Sequence, residues 1–171
     1  MKKIVLFIVL IVLFGQLLGQ KEQNPQKSKK IVEQEIDYSG KKVLLSFNST
    51  GFKDLLAENL IEFFEKNEIE YVQMGEKDLK GLKKTQEFDC IVILTKIYVG
   101  KVSGKAKKFA KKLADRSNIV MVITNNKGDI SDADQLDVVA ISSASEKADE
   151  QDLEETTQQT IAEIEKILSG K

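Results

Sequence analysis

The stretch FDCIVILTKIYVGKVSGKAKKFAKKL at Phe88–Leu113 has the same plan as VLLSFNSTGFKD at Val43–Asp54. In each, a short apolar run leads into a polar loop that contains glycine, and an amphipathic helix follows. Two such strand–loop–helix units predict an α/β domain with a mostly parallel sheet. Domains of this class bind ligands where loops leave the carboxyl ends of the strands. These loops are therefore the candidate sites.

The rest of the chain extends the same alternation. Apolar runs predict strands at Lys42–Phe47, Glu70–Met74, Asp89–Leu94 and Ile119–Thr124, with a candidate fifth at Asp137–Ile141. Helical spacing predicts a first helix that ends near Asn67, a short one within Glu76–Gln86, one around Phe109, and a last one capped by Asp149. We therefore predict a mostly parallel sheet with helices on both faces over residues 41–171, with a shortened region after the fourth strand.

The first 40 residues have a different composition from the domain. Lys2 and Lys3 precede the unbroken apolar run Ile4–Phe14, which is typical of an export signal. Residues 1–20 are interpreted as either a cleaved signal peptide or an uncleaved membrane anchor, and residues 21–40 as a polar linker. The protein is expected to be exported: periplasmic, on the cell surface, or associated with a membrane through residues 1–20.

Composition excludes several classes of function. The chain has 26 basic and 27 acidic side chains, a balance that excludes a general nucleic-acid binder. It has no histidine, which excludes Ser–His–Asp and Cys–His catalysis and the usual imidazole metal sites. We predict neither a catalytic residue nor a metal site.

The single cysteine, Cys90, lies in an apolar run and is interpreted as a buried structural residue rather than a reactive thiol.

Basic residues are concentrated in one segment. Lys96–Arg116 carries eight basic side chains and one acid. A solvated helix face accounts for this pattern. The alternative is a docking patch for an acidic partner or an anionic lipid.

The first candidate loop is NSTGFKD, Asn48–Asp54. Hydroxyl and amide side chains before a helix predict either plain capping or an anion site at the helix amino terminus. The loop also resembles the flavodoxin pattern T-x-T-G-x-T, with matches at Thr50 and Gly51. The resemblance implies that the phosphate of FMN is bound here. The implied residues are Asn48, Ser49, Thr50, Gly51, Phe52 and Lys53.

The second candidate loop follows the third strand and resembles the flavodoxin segment T-P-I-Y-x-G-K. The residues that carry the likeness are Thr95, Ile97, Tyr98, Gly100 and Lys101, and Lys96 stands in place of the proline. The resemblance implies that Thr95, Lys96, Ile97, Tyr98 and Gly100 lie at the cofactor. In the family this loop flanks the flavin ring, which implies that Tyr98 stacks on the ring. The alternative is that Tyr98 is a surface tyrosine that covers the edge of the sheet.

The third candidate loop, Thr124–Asp129, follows the fourth predicted strand. It occupies the position of the second loop that flanks the flavin in flavodoxins. Its implied contacts with the polar edge of the flavin are Thr124, Asn125, Asn126 and Gly128. The alternative is an ordinary polar turn.

Taken together, the resemblance implies a flavodoxin-like fold: a three-layer, doubly wound parallel sheet with the strand order 2-1-3-4, extended by the candidate fifth strand. It also implies non-covalent binding of FMN and electron transfer between an unknown redox partner protein and an acceptor. A second interpretation is a flavodoxin-like module that has lost FMN and acts as a surface binding or structural domain. A third is an FMN-dependent reductase of a small molecule.

Overall fold

The apolar runs form a parallel sheet. The structure is a computed structural model that describes residues 36–98, 101–124, 133, 135–143 and 149–170, without the side chain of Tyr98. The strands are β1 (Lys42–Phe47), β2 (Glu70–Met74), β3 (Cys90–Tyr98), β4 (Lys101–Val102), β5 (Ile119–Thr124) and β6 (Val139–Ser143). Their order is β2-β1-β3-β5-β6 with all neighbours parallel, and β4 pairs with β3 antiparallel. Apart from the short β4, this is the doubly wound order that the resemblance predicted.

Helices cover both faces of the sheet. They are α1 (Gly51–Lys66), α2 (Gly104–Lys112) and α3 (Glu150–Leu168). Along β1, Val43 and Leu45 pack into the core beneath α1 and α3, whereas Leu44 packs into the core beneath α2. This division follows from the alternation of side chains along a strand. The predicted three-layer architecture is confirmed.

The predicted helix ends are also confirmed. Asn67 follows the last residue of α1, and its side-chain amide donates to the Phe63 carbonyl across 2.8 Å. Asp149 precedes α3, and its carboxylate accepts the backbone N–H of Asp152 across 2.9 Å. A cap of this kind stabilises a helix by about 1 kcal/mol.

The third strand is longer than its apolar run. It continues past Leu94 to Tyr98, and its last residues pair antiparallel with β4, with Ile97 opposite Val102. Lys96, which stands where the flavodoxin pattern has proline, pairs with Thr124 of β5. Proline has no N–H for a strand ladder, so a lysine here allows the strand to continue. The residues predicted as a loop after Leu94 are therefore one arm of a β-hairpin.

Two further boundaries differ from the prediction. Within the predicted helix at Glu76–Gln86, the structure has a short 3₁₀ turn, Asp78–Gly81, whose Leu79 is buried. The last strand begins at Val139 rather than at Asp137. Asp137 has a φ of 54°, a left-handed conformation that a strand does not accept.

The structural interpretation of Cys90 is confirmed. Its side chain is fully buried in the core beneath α1 and α3. Burial raises the pKa of its thiol to about 12.

The predicted leader, residues 1–20, and most of the predicted linker lie outside the described residues. Their roles stay predictions. Among the helices that the structure describes, none is long and apolar enough to cross a membrane.

Candidate functional site

Polar side chains from separate segments meet at the carboxyl edge of the sheet. Asn48 follows β1, Glu76 lies two residues after β2, Thr95 belongs to β3, and Ser103 joins β4 to α2. The order of strands along the sheet reverses between β1 and β3, and doubly wound domains bind ligands at this switch point.

The centre of this cluster is the carboxylate of Glu76, which is 3% exposed. Its Oε2 atom accepts the side-chain amide of Asn48 across 3.0 Å. Its Oε1 atom accepts the hydroxyl of Thr95 across 3.3 Å and also the hydroxyl of Ser103. Hydrogen bonds to a carboxylate are stronger than those between neutral groups. Glu76 therefore joins four segments of the chain.

A second carboxylate engages the first loop. The hydroxyl of Ser49 donates to Oδ2 of Asp54 across 2.9 Å. Asp54 lies in the first turn of α1, where a negative charge is favourable to the helix dipole. Two side chains predicted as phosphate ligands, Asn48 and Ser49, thus already donate to carboxylates.

Thr50 and Gly51 leave room above the start of α1. Thr50 occupies the N-cap position with an extended backbone, but its side chain makes no capping hydrogen bond. A methyl group added at Gly51 would meet no atom within 4 Å. Of the two predicted roles for this loop, side-chain capping by Thr50 is therefore not used.

Phe52 and Lys53, at the start of α1, are both buried. Phe52 is 6% exposed and belongs to the core beneath α1 and α3. Lys53 is 3% exposed, which is unusual for a lysine. The prediction that its ammonium meets a phosphate stays a prediction.

The second and third candidate segments are connected to each other by a hydrogen bond. The hydroxyl of Thr124 donates to the backbone carbonyl of Thr95 across 3.1 Å, and both residues are buried. Lys96 is exposed and Ile97 is half-buried. The side chain of Tyr98, and all of Gly100, Asn125, Asn126 and Gly128, lie outside the described residues.

Sequence reasoning brought Asn48, Thr95 and Thr124 to the same edge but missed Glu76 and Ser103. The predicted short helix includes Glu76, and none of the predicted site residues is Ser103. The signal for Glu76 was its position: an acid just after a strand that neighbours β1 reaches the same edge as Asn48. Its burial follows from tertiary contacts, which periodicity does not encode.

The comparisons with known proteins identify the fold. The sequence matches no protein-family model and no curated protein. Among solved structures, it is similar to a flavodoxin from the domain Archaea (TM-score 0.54, 16% identity, 74% of this chain and 98% of that chain). It is also similar to oxidised flavodoxin 1 from Bacillus cereus (TM-score 0.51, 12% identity, 72% of this chain and 96% of that chain). A third similar structure is the apo form of an NADH:FMN oxidoreductase (TM-score 0.50, 12% identity, 72% of this chain and 88% of that chain). At these identities the likeness concerns the fold, so the domain has a flavodoxin-like fold.

Proposed function

We propose that the domain binds FMN non-covalently at the carboxyl edge of its sheet and transfers electrons between a redox partner protein and an acceptor. The observation that carries this proposal is the convergence of Asn48, Thr95 and Thr124 at the switch point of a flavodoxin-like sheet. Solved structures with this fold include flavodoxins and an NADH:FMN oxidoreductase.

The loop between β1 and α1 would face the ribityl phosphate of FMN, whose ring would be bound by the other two segments. Two observations support this part of the proposal: the space at Gly51 is open, and the side chain of Thr50 makes no capping hydrogen bond. Backbone N–H groups at a helix amino terminus bind anions. The fit is incomplete, because the side chains of Asn48 and Ser49 donate to carboxylates.

The hairpin arm from Thr95 and the segment after Thr124 would flank the flavin ring. FMN supplies the redox chemistry when bound. The chain contributes position, stacking and electrostatics. Replacement of Tyr98 by alanine is expected to weaken FMN binding by up to roughly tenfold, because an aromatic stack contributes on the order of 0.5–1.5 kcal/mol beyond the buried area, and about 1.4 kcal/mol is a factor of ten.

Titration of the purified protein with FMN tests the proposal. We expect quenching of flavin fluorescence, with weaker binding by Tyr98→Ala. Tyr71→Ala is a matched control, because Tyr71 lies on β2 and donates to Glu65 rather than to the carboxyl edge. No quenching of FMN at about 100 μM protein would reject it.

A second candidate function is a flavodoxin-like module that has lost FMN and acts as a surface binding or structural domain. The hydrogen bonds from Asn48 and Thr95 to Glu76 favour it, because they engage side chains that a flavin would use. A folded protein that quenches neither FMN nor riboflavin would support this candidate.

We also propose that residues 1–20 direct the chain across a membrane. The basic flank and the apolar run Ile4–Phe14 support this proposal. Fractionation of cells that express the whole chain tests it. Recovery of the full-length protein in the soluble cytoplasmic fraction would reject it.

A further inference from the structure

We propose that the carboxylate of Glu76 is a built-in anion that weakens the binding of phosphate at the loop between β1 and α1. In this role Glu76 determines specificity, since the edge of the sheet then favours a ligand without a phosphate at this position. The flavin part of this inference rests on the proposed function. The phosphate part does not.

The contacts of Glu76 resemble those that a bound anion would make. One oxygen accepts from Asn48, and the other accepts from Thr95 and Ser103. Amide and hydroxyl groups of this kind also bind phosphate oxygens. An incoming phosphate would have to take over donors that the side chain of Glu76 already uses.

The negative charge of Glu76 acts in the same direction as its hydrogen bonds. A phosphate ester carries a charge of about −1.5 to −2 at neutral pH. Glu76 is 3% exposed, so water screens its field weakly. A phosphate within hydrogen-bonding distance of Asn48 would therefore lie beside a buried carboxylate and be repelled by it.

Asp54 strengthens the same effect from the solvent side. Its carboxylate accepts the hydroxyl of Ser49, the next donor along the loop, across 2.9 Å. Asp54 is half-buried, so its field is screened more than that of Glu76. Glu76 is therefore the residue whose neutralisation is expected to strengthen the binding of phosphate.

The direct test is the binding of inorganic phosphate to the wild-type protein and to Glu76→Gln. The substitution removes the charge and keeps the shape. Backbone amide resonances of Ser49–Lys53 report the loop. We expect Glu76→Gln to bind phosphate at least about tenfold more tightly than the wild type. Equal affinities, or a loss of affinity, would overturn the proposal.

Glu58→Gln is the matched control. Glu58 is an exposed residue of α1, and its substitution changes the net charge by the same amount. We expect this variant to bind phosphate as the wild type does. A gain equal to that of Glu76→Gln would mean that net charge, rather than the position of Glu76, weakens the binding of phosphate.

Titration of the wild-type protein with phosphate is a test that does not depend on the folding of a variant. At matched ionic strength, we expect about 1 mM phosphate to shift none of the Ser49–Lys53 amides beyond the shift caused by chloride. A saturable shift at that concentration would overturn the proposal.

Flavins extend the test to the proposed cofactor. We expect the wild type to bind riboflavin at least as tightly as FMN, and Glu76→Gln to shift the preference towards FMN by at least about tenfold. An unchanged preference would contradict the inference. If neither flavin binds any variant, the proposed function fails, and the phosphate titration still decides the inference.

Discussion

The side-chain amide of Asn48 donates to the carboxylate of Glu76 across 3.0 Å and so fastens the loop after β1 to the segment after β2. The two residues are 28 positions apart in the chain. Their contact places a buried negative charge beside the loop that the flavodoxin pattern assigns to phosphate. We therefore expect the stability of this edge and its ligand preference to depend on the same side chain.

Removal of the Glu76 carboxylate is expected to destabilise the domain. Glu76→Ala leaves the donors of Asn48, Thr95 and Ser103 without their acceptor, and Thr95 is fully buried. We expect a loss of about 2–3 kcal/mol in the free energy of unfolding, measured in urea. Glu58→Ala, at an exposed site, is expected to change it by less than about 0.5 kcal/mol. Similar small losses for both variants would contradict the account.

Tyr38 connects the segment before β1 to the last helix. Its hydroxyl donates to Oε1 of Glu165 across 2.8 Å, and its ring packs edge-on against Phe63. We expect Tyr38→Phe, which keeps the ring, to lose about 1 kcal/mol of stability at pH 7. Tyr38→Ala is expected to lose more, because it also removes the packing.

The same residue gives a pH dependence of known sign. Burial, together with the bond to Glu165, raises the pKa of Tyr38 above its usual range. A group whose pKa is raised on folding stabilises the fold below its unfolded pKa, which is about 10 for tyrosine, and loses that contribution as the pH rises further. The stability advantage of the wild type over Tyr38→Phe should shrink above about pH 10. An advantage that grows with pH would contradict the assignment.

The thiol of Cys90 is expected to be protected by the fold. It is fully buried, and burial raises its pKa to about 12, so the reactive thiolate is scarce near neutral pH. An aromatic disulfide reagent should label it slowly in buffer at pH 8 and rapidly in denaturing urea. Equal rates in the two conditions would show that the residue is accessible.

Substitution of Gly51 distinguishes an effect on folding from an effect on ligand binding. A methyl group there meets no atom within 4 Å. Gly51→Ala is therefore expected to leave stability unchanged or raise it by up to about 1 kcal/mol. If a ligand lies over the start of α1, the same methyl group should weaken its binding. Weaker flavin binding with unchanged thermal stability is the expected pair of results, and unchanged binding would place the ligand elsewhere.

Much of the fold could be predicted because it depends on local patterns. Ile119–Thr124 is an apolar run whose residues are all buried, and Asp149 precedes an acidic first turn and caps α3. The extension of β3 was missed because the resemblance suggested a loop, whereas Lys96 supplies the N–H that proline lacks. Glu76 was missed because its partners are 19 to 28 residues away, so its burial depends on strand order.

The most direct test of the account is a parallel titration of the wild-type protein with FMN and riboflavin, followed by flavin fluorescence. The proposed site predicts that both are quenched and that riboflavin binds at least as tightly as FMN, because Glu76 opposes the phosphate. Quenching of neither flavin at about 100 μM protein would contradict the flavin site. Quenching of FMN alone would contradict the role of Glu76.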